Sequence, residues 1–307
     1  MDLKTAIKKA RDIKDNSINS YIISLTKLND NKTFDDLDFL KDKEKIKEKM
    51  ENLALTTKKN RITAIIVALG AVDEEKYKDL IEYYKKILEE LTALYFENIK
   101  KNIKTDKEDK NWTSLKSLKK VMNAYKRDIA EREILKKNNV SNKELMLFQN
   151  YLITALYLLL PPIRLDYAPM TIIKNKEQME KDKNYLLNLS RNKKRFIIQE
   201  FKNSKNMGTQ EIPIPKELNS ILNNWLKLNK SENFLINNRG GSLSSNGLGK
   251  LITKAFKPLN KNINLGLLRK IYISEHIDKD AIKKAENLAS KMLHSPQVQQ
   301  DIYFKKD

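Results

Sequence analysis

The chain has 307 residues, with 60 Lys and Arg against 40 Asp and Glu, and it contains no cysteine. The lack of cysteine excludes disulfides and thiolate metal sites, and the charged residues near the start exclude a secretory signal. The longest apolar run, residues 152–161, is about half the length that a membrane-spanning helix needs. We therefore expect a soluble intracellular protein with no membrane association and with one large core or two moderate ones.

The net charge of +20 is distributed unevenly. Residues 1–110 carry 24 basic and 22 acidic side chains, whereas residues 111–307 carry 36 and 18. Only 9 of the 60 basic residues are arginine, and the abundance of lysine, asparagine and isoleucine is typical of AT-rich genomes. Such a bias enriches lysine everywhere, but it does not concentrate the excess in one part. The asymmetry therefore predicts a nucleic-acid-binding surface in the second part.

The first hundred residues are predicted to be helical, because apolar residues recur at three- and four-residue spacing. The predicted helices are residues 18–28, 41–55, 57–69 and 76–99. Gly70 and the acidic residues after it are expected to separate the last two helices. Residues 101–110 (KNIKTDKEDK) are almost entirely polar and are predicted to be a charged linker. The chain thus divides into a helical domain, residues 1–100, and a second domain, residues 111–307.

The second domain is predicted to contain helices around a small antiparallel sheet. Thr113 or Ser114 caps a helix that runs to about residue 138, and a capping box of Ser141 and Glu144 begins the next, strongly apolar helix. Strand patterns appear only in residues 184–190, 195–201 and 209–214. Helices resume after Pro215. The fold class is therefore mainly α with a small, three-stranded antiparallel sheet (α+β).

The end of the chain carries a histidine, a serine and a tyrosine at an informative spacing. His294 and Ser295 precede a predicted short helix, with Pro296 in its first turn, that presents Tyr303. Taken singly, His294 is explained by capping the preceding helix and Tyr303 by an ordinary tail tyrosine. His276 lies in no comparable motif and is expected to be structural or exposed.

Two arginines and a lysine precede this segment. Arg164 follows the apolar helix and two prolines; a surface arginine at a helix end is the ordinary explanation. Its apolar neighbours and the scarcity of arginine favour a buried, functional side chain instead. Arg269 lies near the start of a predicted helix. Lys202 lies where the second predicted strand enters its turn, and Lys205 is the alternative in the same turn.

These residue types suit the cleavage of a phosphodiester without a metal ion or cofactor. Guanidinium groups remain charged and hold two phosphoryl oxygens at once. Burial beside other cations lowers the pKa of a lysine, so that it can protonate the leaving oxygen. A tyrosine nucleophile stores the phosphate bond energy in a phosphotyrosine, so that rejoining requires no ATP.

The order of these residues resembles the active site of the tyrosine recombinases, the phage-type integrase family, over residues 111–307. The matching residues are Arg164, Lys202, Arg269, His294 and Tyr303. The resemblance implies that the two arginines and the histidine hold the scissile phosphate of double-stranded DNA. It further implies that Lys202, or else Lys205, protonates the leaving 5′ hydroxyl, and that Tyr303 forms a 3′-phosphotyrosine.

The same resemblance implies a domain role and partners. Residues 1–100 fit only loosely the helical core-binding domain of the family, which clamps DNA together with the catalytic domain. The active form is expected to be a homotetramer on paired DNA sites, and a monomer or weak oligomer off DNA. The Lys-, Asn- and Ile-rich composition suggests a mobile element or a virus, including the virophage type.

One residue departs from the family pattern. Gly266 stands where a histidine usually precedes Arg269 by three positions, and a glycine neither bonds the phosphate nor accepts a proton. Two alternatives therefore remain beside a site-specific integrase. One is a type IB topoisomerase, in which a monomer performs the same chemistry; the helical first domain and the motifs favour a recombinase. The other is a DNA-binding protein whose catalytic site has decayed, which Gly266 favours.

Overall fold

The computed structural model describes residues 2–101 and 103–292 of the chain. The chain divides into two compact units between Lys104 and Thr105, inside the segment predicted to be a linker. Both units are mainly helical, and the second contains one small sheet. The predicted fold class, mainly α with a small sheet, is therefore confirmed.

The first unit contains helices α1 to α5. Their bounds are Leu3–Ala10, Asp15–Leu28, Lys43–Glu48, Leu55–Asp73 and Lys78–Lys101. Helix α4 is central, because it packs against α1, α2 and α5. Its side chains of Ile62, Ile65 and Leu69 are fully buried, since spacings of three and four residues place them on one face.

Two predictions for the first unit are wrong in part. The helix predicted for residues 41–55 is limited to α3, because the chain leaves the helix where Lys49 Nζ donates to the Leu28 carbonyl (2.7 Å) and pairs with Asp30 (2.6 Å). Gly70 lies inside α4 and does not end it. A helical glycine costs about 1 kcal/mol, which the burial of neighbouring apolar residues offsets.

The second unit contains helices α6 to α13 and strands β1 to β4. The helices are Asp106–Asn111, Leu115–Glu131, Asn142–Leu159, Ser204–Met207, Lys216–Leu228, Ser245–Ala255, Leu265–His276 and Lys279–Lys291. The strands are Thr171–Ile173, Tyr185–Ser190, Lys193–Ile198 and Gln210–Pro213. Helix α8 begins at the predicted capping box of Ser141 and Glu144, and it packs against α7, α10 and α11. Because α8 is buried along most of its length, it is the centre of this core.

The predicted linker and the helix after it need correction. Residues Asp106–Asn111 form α6, which Thr105 and Glu108 begin with a capping box. Glu108 pairs with Lys270, and Asn111 Oδ1 accepts a hydrogen bond from the Asn262 backbone (2.7 Å), so α6 belongs to the second unit. Helix α7, capped by Ser114, ends at Glu131 and not near residue 138, because Glu133 takes a left-handed conformation (φ 50°).

The sheet is mixed and has the strand order β1-β2-β3-β4. Strands β2, β3 and β4 are antiparallel as predicted, but β1 is an additional strand parallel to β2. The prediction of three antiparallel strands is therefore wrong, because a three-residue strand is too short for an alternating pattern. Tyr185 pairs with Ile197 and Ile198 with Gln210, so the start of β2, the end of β3 and the start of β4 share one end of the sheet.

Candidate active site

A cleft of about 760 Å³ opens at this end of the sheet. The segments that line it are the chain between α8 and β1, the loop before β2, the turn after β3 and the starts of α11 and α12. The lining residues relevant to the site are Arg164, Asp166, Asn184, Lys202, Ser245 and Leu265. The cleft therefore joins segments that lie far apart in the sequence.

Arg164 is held at the cleft by its own backbone. The two prolines after Leu160 end α8, since proline lacks the N–H that a helix interior requires. The chain then turns back, and the hydroxyl of the fully buried Tyr157 donates a hydrogen bond to the Arg164 carbonyl (2.9 Å). The Arg164 side chain is half-buried and not fully buried as expected. Its guanidinium group thus remains accessible to a ligand in the cleft.

Asp166 follows Arg164 by two residues and lines the same cleft. Its side chain is half-buried, and burial raises the pKa of its carboxyl group above the usual value. The positive charge of Arg164, and more weakly that of Arg269, opposes this shift in the Asp166 pKa. The charges of both arginines thus act on the Asp166 carboxyl group, and among the described residues no ion pair joins it to either of them. Arg164 lines the cleft with Asp166, whereas Arg269 lies one turn into α12, the helix whose first residue, Leu265, lines it.

Helix α12 positions Arg269. Asn264 caps the helix by accepting a hydrogen bond from the Leu267 backbone (2.9 Å), and Leu268 is fully buried, which fixes the helix rotation. Gly266 is exposed in the first turn of this helix, and a Cβ atom there would lie 3.3 Å from Asn264 Oδ1. The position usually taken by a histidine is therefore accessible but has no side chain.

The two candidate lysines differ in position. Lys202 lies in the turn after β3 and lines the cleft, whereas Lys205 lies in α9 and does not line it. This placement favours Lys202 of the two. Its side chain is nevertheless exposed, which contradicts the burial that we expected of a proton-donating lysine.

Two of the five predicted residues, His294 and Tyr303, lie outside the described residues. Helix α13 ends at Lys291, three positions before His294 in the sequence. His276 is exposed at the end of α12, where Nδ1 lies 2.8 Å from the Tyr272 carbonyl and the ring stacks on that of Tyr272. It takes no part in the cleft.

Sequence reasoning missed two polar residues of the cleft. Asn184 precedes β2 and Ser245 begins α11. Asparagine and serine are abundant in this chain, and neither residue lies in a motif. Their placement depends on strand pairing and on helix packing, so the local sequence carries no signal that would have distinguished them.

Comparisons with protein-family models, with curated proteins and with solved structures gave no match. The family resemblance therefore rests on the motif order and on the chemistry of the residues. Among the described helices, none combines the length and apolar character that a membrane crossing requires. In the same part of the chain, no three His, Asp or Glu side chains come together as metal ligands.

Two buried tyrosines provide a test of how the Arg164 segment is held. Tyr157→Phe is expected to lower the free energy of unfolding by about 1–2 kcal/mol, because it removes the donor to the Arg164 carbonyl. Tyr167 is the matched control: its ring contacts that of Tyr157, but its buried hydroxyl has no hydrogen-bond partner in the described chain. Tyr167→Phe should be neutral or stabilising. Urea denaturation measures both, and equal losses would contradict the assigned role of Tyr157.

Proposed function

We propose that the protein is a site-specific DNA recombinase that cleaves and rejoins strands through a 3′-phosphotyrosine intermediate. The observation that carries the proposal is that Arg164 and Lys202 line the same cleft, together with the half-buried Asp166 and with the start of the helix that carries Arg269. Clustered guanidinium groups suit a phosphodiester, because they neutralise the charge that the phosphoryl oxygens carry in the transition state.

The proposed reaction assigns a role to each residue. The Tyr303 oxygen attacks the phosphorus and loses its proton to water, and the bond between phosphorus and the 5′ oxygen breaks. Lys202 gives a proton to the departing 5′ oxygen, while Arg164, Arg269 and His294 hold the phosphate. In the reverse step, a 5′ hydroxyl attacks the phosphorus and returns its proton to Lys202, while the bond between phosphorus and the Tyr303 oxygen breaks and that oxygen regains a proton from water. The bond energy is conserved, so ligation requires no external energy source.

A cluster of lysines supports duplex DNA as the substrate. We call it the lysine pocket: a depression of about 640 Å³ lined by Lys250, Lys254, Lys257 and Lys261 together with neutral polar residues. In the described part of the chain, none of these four lysines is in an ion pair. Lys250 and Lys254 are four residues apart on α11, and like charges at that spacing destabilise a helix. A polyanion that binds there would compensate for this cost.

The direction of α11 connects this pocket with the cleft. Ser245, the first residue of α11, lines the cleft, and Lys250 and Lys254 follow on the same helix. With a rise of about 1.5 Å per residue, the positive charge extends roughly 14 Å along the helix from the cleft. A DNA strand whose scissile phosphate lies in the cleft would therefore have its neighbouring phosphates near these lysines.

The lysine pocket predicts a change in salt dependence. Replacing Lys250, Lys254 and Lys257 by glutamine should reduce the slope of log affinity against log salt by about 2.7, because each phosphate contact contributes about 0.9. A control with the same loss of charge replaces Lys136, Lys137 and Lys176, which are already paired with carboxylates. Fluorescence anisotropy at several salt concentrations measures both slopes. Equal slopes for the two triple variants would exclude the lysine pocket as a DNA contact.

Covalent trapping tests the proposed chemistry. The protein is incubated, without metal, with labelled nicked duplexes from the ends of the element that carries its gene. An SDS-resistant adduct on the 3′ phosphate is expected, because the nick lets the cleaved fragment diffuse away before ligation. Binding without an adduct across the whole panel would contradict strand cleavage. It would favour instead a DNA-binding protein with a decayed site, for which the missing side chain at Gly266 is the supporting observation.

The same resemblance supports a homotetramer on paired sites, rather than a monomeric topoisomerase. Relaxation of supercoiled plasmid by the isolated protein, without joining of two sites, would favour the topoisomerase. Recombinant joints between two labelled duplexes would favour the recombinase.

A further inference from the structure

Asn184 is a buried amide that uses its whole hydrogen-bonding capacity at the cleft. Only 4% of the surface of Asn184 is exposed to solvent. Its Nδ2 donates to the carbonyls of Asp166 (3.2 Å) and Glu200 (2.9 Å), and its Oδ1 accepts from the backbone N–H groups of Gln199 and Glu200 (both 2.9 Å). An asparagine side chain has two donor hydrogens and one oxygen with two lone pairs, so all four positions are occupied.

These four bonds connect the two segments that carry the predicted catalytic groups. Asp166 is two residues after Arg164, and Glu200 is two residues before Lys202. The Arg164 segment lies outside the sheet, so the ladder of strand hydrogen bonds does not connect it with the turn after β3. In addition, the Asn184 carbonyl accepts a hydrogen bond from the Thr171 backbone (3.1 Å), which ties the same residue to β1.

We propose, on the basis of the proposed function, that Asn184 is a positioning residue that sets the distance between Arg164 and Lys202. Phosphoryl transfer needs the phosphate-holding group and the proton donor at fixed positions on the same phosphodiester. A misplacement of about 1 Å costs roughly a hundredfold in rate. An amide that bonds to the backbone of both segments prevents such a displacement.

A chemical readout separates positioning from ordinary structural support. If the bridging 5′ oxygen of the substrate is replaced by sulfur, the leaving group is a thiolate. The conjugate acid of a thiolate has a pKa of about 8.5, whereas the pKa of the conjugate acid of an alkoxide is far higher. The phosphorus–sulfur bond therefore breaks without a proton from Lys202. A variant that has lost the alignment of Lys202 should recover on the sulfur substrate, whereas a poorly folded variant should not.

The test uses Asn184→Asp, which retains an acceptor oxygen for Gln199 and Glu200 but loses both donations. Asn184→Ala is the second variant in case the buried charge prevents folding.

The matched control is Gln199→Leu. Gln199 Nε2 also donates to two nearby carbonyls, those of Glu180 and Lys183 (both 2.9 Å), but not to the Arg164 segment. Lys202→Ala provides the reference for complete loss of the proton donor. Single-turnover rates of adduct formation are measured on oxygen and sulfur substrates, and thermal unfolding monitors folding.

The Asn184 variants are expected to be about a hundredfold slower than the wild type on the oxygen substrate and within about tenfold on the sulfur substrate. Gln199→Leu should remain within about threefold of the wild type on both. Folded Asn184 variants with wild-type rates on oxygen, or with equal losses on both substrates, would overturn the positioning role. A wild type that forms no adduct with either substrate would overturn the proposed function itself, and the positioning role with it.

Discussion

Replacing Tyr303 by phenylalanine is expected to abolish strand cleavage and to leave DNA affinity nearly unchanged. The substitution removes only the hydroxyl oxygen that forms the bond to phosphorus, and no residual covalent pathway remains without a nucleophile. The phosphate contacts that determine most of the affinity remain in place. Adduct formation on nicked duplexes measures the first effect, and fluorescence anisotropy measures the second.

The control for this substitution is Tyr272→Phe. Tyr272 lies on α12, one turn after Arg269, and it does not line the cleft. The change also removes one hydroxyl, so it should retain the cleavage rate. If the Tyr303→Phe protein still forms the adduct, another residue is the nucleophile and the family resemblance is wrong.

Arg164→Ala is expected to lower the cleavage rate by roughly a thousandfold or more. A transition-state arginine in phosphoryl transfer contributes about 10³ to 10⁵ in rate, because it stabilises charge that develops only during the reaction. The loss should appear in the rate at saturating protein concentration. The affinity for DNA should change much less, since the remaining cationic contacts persist.

Arg195→Ala is the matched control. Arg195 lies on β3, is exposed, and has its guanidinium group 3.7 Å from a Glu211 carboxylate oxygen. Removing it deletes the same charge from the same unit, away from the cleft. We expect its cleavage rate to stay near that of the wild type. Equal rates for the Arg164 variant and the wild type would mean that the first arginine of the site is a different residue.

The local sequence predicted those elements whose signals lie within a few residues. The capping box of Ser141 and Glu144 begins α8 where expected, because both partners of a cap lie within one helical turn. Strands β2, β3 and β4 were predicted from alternating apolar residues and turn signals. By contrast, β1 has three residues, and its pairing with Tyr185–Leu187 depends on a segment that follows much later in the chain.

The segment around residue 106 shows why the linker prediction went wrong. Its polar, charged sequence resembles a linker, and α6 buries no residue of its own. The helix is nevertheless held in the second unit by contacts of Glu108 with Lys270 and of Asn111 with Asn262. Both partners lie far away in the sequence, so composition alone gave no indication of them.

For the candidate site, residue chemistry and motif order are what predict Arg164, Lys202 and Arg269, because charge and donor geometry belong to the side chain itself. Whether these groups meet depended on the tertiary structure. The α12 cap, the packing of α8 and the pairing of β2 with β3 bring the start of α12, Arg164 and the turn of Lys202 to one cleft. Asn184 is the clearest case: its identity carries no signal, and only folding places its four hydrogen-bonding positions opposite four backbone groups from separate segments.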